Sequence, residues 1–151
     1  MTAYTVASGV TSTGIILSSG DTLTVSAGGS ADDITVSTGG TEIVLTGGTA
    51  TGTIVRAGGV AQIEGGTALS TTVSAKGQIQ ISSGGIGSDT TLILGGVDDV
   101  FAGGSAVSTT INKSSVEIDY VGGTVDDATV QGGGALINQQ AVIGGIDPRD
   151  A

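Results

Sequence analysis

The residues able to do chemistry in this chain are few, and most of them are carboxylates. There is no His and no Cys. No imidazole base, thiol nucleophile or disulfide is therefore available, and catalytic dyads or triads built on those residues are excluded. Cleaving a polysaccharide, which some parallel β-helices do, needs clustered acids beside a basic group. The basic residues, Arg56, Lys76, Lys113 and Arg149, are scattered along the chain. No enzymatic activity and no cofactor are expected.

Calcium is the sharper possibility for the acids. The stretch GGIGSD, Gly84 to Asp89, matches the start of the nonapeptide G-G-x-G-x-D-x-U-x of calcium-binding β-rolls. The next residues, TTL, bring the apolar position one place late, and TLILGGVDD does not continue the motif. Asp33, Asp89 and Asp127 fall at one position of a longer repeat. They belong to units two or three rungs apart, about 10–14 Å if rungs stack as strands. One ion cannot bridge that span, because its oxygen ligands lie at roughly 2.3–2.6 Å. The pairs Asp32-Asp33, Asp98-Asp99 and Asp126-Asp127 read as solvated turn residues. No metal is expected, and Asp89, Asp98 and Asp99 are the weak candidates for one.

The elements that would position these residues come from an internal repeat. Counted from the first Gly of each Gly-Gly pair, units begin at Gly28, Gly47, Gly65, Gly84, Gly103 and Gly122, in steps of 19, 18, 19, 19 and 19 residues. A weaker first unit begins at Ser8-Gly9. A second break falls 11 residues into each unit: Gly39-Gly40, Gly58-Gly59, Gly95-Gly96 and Gly133-Gly134, with Lys76-Gly77 and Ser114-Ser115 as substitutes. Aligned units give an aliphatic column of Ile16, Val36, Val55, Val73, Leu92, Ile111 and Val130. Two residues earlier runs a column containing Thr53, Thr71, Thr90 and Thr109. Val44, Ile63, Ile81 and Val100 form a column in the second half.

Thr-x-Val is a short strand with both side chains on one face. One unit cannot bury that face alone, but stacked units can. The expected fold is all-β: a single parallel β-solenoid of about seven coils, right-handed like other β-helices, about 30 Å long at roughly 4.8 Å per rung. Residues 1–7 are expected as an N-terminal cap and 141–151 as a C-terminal cap or linker. Poverty in aromatics fits so narrow an interior. The Thr column is expected to face inward and exchange hydroxyl hydrogen bonds along the stack. The flanking Ser70, Thr72, Ser74, Thr91 and Thr110 alternate outward, forming a surface for contacts or for sugars. A formal charge of −10 argues against nucleic acid and anionic membranes as partners. No apolar run is long enough to insert in a membrane, and the N-terminus has no signal-peptide pattern.

The unit GGTALSTTVSAKGQIQISSGG resembles the AIDA-type repeat of bacterial autotransporter adhesins, over residues 8 to about 145. That resemblance implies a β-helix that is secreted or displayed on the bacterial surface and serves adhesion, self-association or as a stalk. Some members of the family are glycosylated on Ser or Thr. The implied partners are like chains, or host and cell-surface glycans or proteins. The alternatives are a calcium-dependent surface-layer or β-roll module and, more distantly, a polysaccharide-binding or -cleaving β-helix.

Overall fold

The structure is a computed structural model and describes residues 1–140. All regular structure among these residues is β-strand. Each coil contributes three strands. In one coil these are Thr49–Thr51, Ile54–Val55 and Val60–Glu64, after which the chain arrives one rung further along at Thr67–Leu69. The strands stack in parallel into three sheets. The long sheet has eight strands, from Ala3–Val6 to Ala135–Asn138. The first short sheet has seven, from Thr11–Thr13 to Thr124–Asp126, and the second has seven, from Ile16–Leu17 to Thr129–Val130. The chain is a parallel β-solenoid of about seven coils, with the repeat as its coil. Its first half folds into the two short strands and its second half into the long one. Residues 1–7, expected as a cap, contain the first strand of the long sheet. The expected cap or linker at 141–151 lies outside the described residues.

The register is one coil per rung. Ala50 pairs with Ala31 on one side and Ala68 on the other, and Val55 pairs with Val36 and Val73. Identical columns are therefore stacked, and the core is a set of aliphatic ladders. Val36, Val55, Val73, Leu92 and Ile111 are fully buried, as are Val44, Ile63, Ile81 and Val100. Two members of the expected ladder differ. Ile16 is 67% exposed and its neighbour Leu17 takes the inward place, pairing with Val36. The first unit starts at Gly9, not Ser8: the amide of Gly9 donates to the carbonyl of Gly28 as Gly28 does to Gly47. The one-residue difference flips every side chain of that strand, as it must at a period of two. Val130, on the last rung of its sheet, is 49% exposed.

The two glycines of each pair do different work. The first takes a left-handed backbone, as at Gly47 with φ +78°. The second sits against the rung beneath. A Cβ on Gly48 would stand 2.6 Å from the carbonyl oxygen of Val25, a backbone atom that cannot swing away. Where the first glycine is replaced, Lys76 and Ser114 adopt the same left-handed turn at φ 66° and 65°, at a cost of roughly 1–2 kcal/mol each. Gly48→Ala is expected to lower the melting temperature well beyond Gly84→Ala. The latter meets no atom within 4 Å and strains only its φ of +85°, about 1 kcal/mol. Thermal melts followed by circular dichroism compare the two, and equal midpoints would contradict the corner geometry.

Candidate functional site

The acids singled out from sequence do not come together. Asp33, Asp89 and Asp127 occupy the turn between the two short strands, exposed and left-handed at φ 53°, 55° and 56°. Gly14, Gly52, Ser70 and Ser108 take the same conformation in the other coils. This turn demands Gly or a short polar side chain that tolerates φ above zero. Asp89 is thus a turn residue for a conformational reason.

The pair Asp98-Asp99 is not a turn, contrary to expectation. It lies within the long-sheet strand Val97–Val100. Successive side chains of a strand point to opposite faces, so the two carboxyls diverge. Asp98 is 0% exposed in the interior, in the column of Ile79 and Glu117. Asp99 points to the outer face yet is only 5% exposed, and the Gln78 amide donates to its Oδ2. Its charge also raises the pKa of the nearby Tyr120 phenol. Asp89, Asp98 and Asp99 therefore cannot close on one ion. Glu42, Glu117 and Asp119 are buried as well, at the inward positions of their strands. Sequence reasoning missed these interior acids, although the 19-residue interval between Asp98 and Glu117 is the repeat length.

The inward Thr column is present but does not hydrogen bond along the stack. Thr53, Thr71, Thr90 and Thr109 are buried; the hydroxyls of Thr71 and Thr90 have no partner, and that of Thr53 lies beside the Glu42 carboxyl. The Thr109 hydroxyl donates to Oε1 of Glu117 at 2.9 Å.

The outer surface carries two hydroxyl ladders. On the second short sheet Thr72, Thr91, Thr110 and Thr129 stand on consecutive rungs. Ser74 lies one pleat further along its strand, and Ser70 is exposed on the left-handed turn. The first short sheet adds Thr11, Ser30, Thr49 and Thr67, then Ser105 and Thr124 beyond Ile86. The long sheet differs: its outer face turns apolar toward the C-terminal coils, at Val97, Val116, Ile118 and Ile137. Beside them Phe101 and Tyr120 stack with ring centroids 4.8 Å apart and planes 15° from parallel. That separation is one rung, and the two residues are 19 apart in sequence.

Among the described residues no three His, Cys, Asp or Glu side chains are grouped to hold a metal ion. Circular dichroism melts in excess EDTA and in millimolar calcium are expected to coincide. A coil-like spectrum in EDTA that calcium restores would contradict this placement of the acids.

Comparison with known proteins matches this geometry. Residues 2–59 match the family model described as adhesin of bacterial autotransporter system, probable stalk. Among curated proteins none matches the sequence. Among solved structures, the crystal structure of the TibC-catalysed, hyper-glycosylated TibA fragment superposes with a TM-score of 0.81 at 31% sequence identity. The match covers 89% of this chain and 52% of that one, so the chain spans about half the length of its structural relative. Over residues 2–59 the coil of this solenoid is similar to the repeat of the bacterial autotransporter adhesin stalk family, and its fold is similar to that of the TibA fragment over 89% of the chain.

Proposed function

We propose that the chain is an adhesive stalk segment of a secreted or surface-displayed bacterial protein, and that it works by weak, repeated contacts with like chains. The observation that carries this reading is the outer surface. Hydroxyl-bearing side chains recur on most rungs of two faces, and an apolar patch with stacked aromatics lies on the third. No cavity is found among the described residues, and a small-molecule site is usually concave. A non-enzymatic role agrees with the adhesin family and with the scattered bases. Among the described residues no helix is long and apolar enough to cross a membrane.

A flat ladder of short polar groups binds each partner group weakly. Regular spacing lets many such contacts form together, so strength grows with array length. The acidic side chains set the condition. With a net charge of −10, two copies repel until salt shortens the screening length from about 30 Å at 0.01 M to about 8 Å at 0.15 M. The same hydroxyls, Ser70, Thr72, Ser74, Thr91 and Thr110, are candidate sugar acceptors. The hyper-glycosylation of the TibA fragment favours that second use.

Sedimentation velocity across a salt series tests the first reading, on this chain and on a doubled array of the same coils. The doubled array is expected to associate more strongly, increasingly so as salt rises to physiological strength. An array that stays monomeric at high concentration and physiological salt would leave the chain a passive spacer.

A further inference from the structure

The interior of the last coils holds carboxyl groups that play no part in the outer surface. Along the long sheet the inward positions of successive rungs are Ile79, Asp98, Glu117 and Leu136 in one column. The other column runs Ile81, Val100, Asp119 and Asn138. Asp98 and Glu117 are both 0% exposed and occupy neighbouring rungs, about 4.8 Å apart. Thr109 satisfies Oε1 of Glu117. Glu117 Oε2, both oxygens of Asp98 and the Thr90 hydroxyl have no hydrogen-bond partner.

Two ionised carboxylates can only accept hydrogen bonds, so neither can satisfy the other. Adding a proton turns one of them into a donor and removes one buried charge. No cation stands in for that proton: Arg56, Lys76 and Lys113, the basic side chains among the described residues, are all exposed. The surrounding strands supply only further acids. Gln78–Ser82 and Ala135–Asn138, on either side in the long sheet, carry no titratable group. Neither do Thr91–Ile93 and Thr110–Ile111 of the second short sheet, nor Ser105–Val107 of the first. Thr124–Asp126 carries the exposed Asp126. On the pair's own strands are Asp99, facing outward, and Asp119, whose Oδ2 accepts from the Gln140 amide at 2.8 Å, with Tyr120 next in sequence.

We infer that Asp98 and Glu117 form a proton-binding pair inside the solenoid, and that release of the proton opens the C-terminal coils while the middle coils stay closed. The direction follows from burial. Burial, with the charges of Glu117 and Asp99 adding to it, raises Asp98 well above its ordinary 3.8. Burial also lifts Glu117 to about 7, the Thr109 hydrogen bond opposing it and the Asp119 charge adding to it. Groups raised on folding contribute stability that is complete below their unfolded values, near 4. That stability is lost progressively as pH rises from the unfolded value to the folded one, about 7 for Glu117, and no further loss comes beyond it. Glu42, buried and raised to about 7, is a separate single site three rungs away. The strands between them, Val60–Glu64 and Gln78–Ser82, present Ala61, Ile63, Ile79 and Ile81 inward.

Hydrogen exchange of the intact chain from pH 5.5 to 8.5, corrected for the intrinsic pH dependence, tests this. Protection at residues 97–100 and 116–119 is expected to fall as pH rises from 5.5, by up to about tenfold per pH unit for each carboxyl still protonated in the closed coils, and to level off once both have ionised there. Protection at 78–82, two rungs from the strand of Glu42, is expected to hold. In the double variant Asp98→Asn with Glu117→Gln the fall should vanish, whereas Asp33→Asn on an exposed turn should keep the wild-type profile. A uniform loss over all coils in the wild type, or an unchanged fall in the double variant, would overturn the inference. If the double variant does not fold, the regional pattern in the wild type decides alone.

Discussion

The structure depends on how closely the backbone of one coil approaches the coil beneath it at the corners. A Cβ at Gly48 would intrude on the carbonyl of Val25, and one at Gly40 would stand 2.6 Å from that of Leu17. With hydrogen there instead, the axial hydrogen-bond ladder runs through the turns as well as the strands. Gly103 donates to Gly122 and Gly39 to Gly58, at 2.8 and 2.9 Å. The backbone of a solenoid is satisfied only if this ladder is continuous. Continuity fixes the coil length, and a fixed coil length fixes which residues share a column. Beyond the first coil, where Val10 and Asp21 hold this place, one corner departs: Ser115 is buried at a place held by glycine in the coils on either side, Gly96 and Gly134, and its hydroxyl has no partner.

The narrow interior follows from the same closeness. Three short strands enclose room for Ala, Val, Thr, Leu and Ile. Rings of Phe or Tyr are placed outside, where Phe101 and Tyr120 cover each other. A carboxyl placed inside is shut off from solvent and from the exposed basic side chains, and it must carry a proton or weaken the coil. The acids therefore divide by address. Those on the left-handed turn add to the repulsion between rods, while Asp98 and Glu117 act on the stability of the rod itself. The single ion pair among the described residues joins the N-terminal amine to Asp21 at 3.5 Å. Attraction between charges contributes little to such a fold.

Much of this was legible in the repeat. The 19-residue interval, the aliphatic column from Val36 to Ile111 and the corner glycines all rest on a constraint that each coil must meet alike. Position within a strand was harder to read where a coil departs from its neighbours. The Thr11 to Leu17 segment has Ser8-Gly9 where later coils have Gly-Gly, and that shifted its alignment by one residue, which exchanged Ile16 for Leu17. VDDV after Gly95-Gly96 looked like a turn because paired Asp is common in turns. Its pleat, counted from Ile79 and Ile81 one coil earlier, places Asp98 inside. The contact surface was legible only as alternation: Thr72, Thr91 and Thr110 share a ladder. The aromatic pair on the long sheet needs the coil length applied to Phe101 and Tyr120.

The central claim is that each coil lies in register on the next, one rung apart, with closed corners between. The chain has no Cys, so introduced pairs report without interference. Thr91→Cys with Thr110→Cys places two thiols on adjacent rungs of the outer ladder, about 4.8 Å apart and within reach of a disulfide. Thr72→Cys with Thr110→Cys places them two rungs apart, beyond the roughly 7 Å that a disulfide spans between Cα atoms. Under mild oxidation the account predicts rapid intramolecular cross-linking of the first pair and none of the second. Equal cross-linking of both, or failure of the first in a chain that keeps its β-rich spectrum, would contradict it.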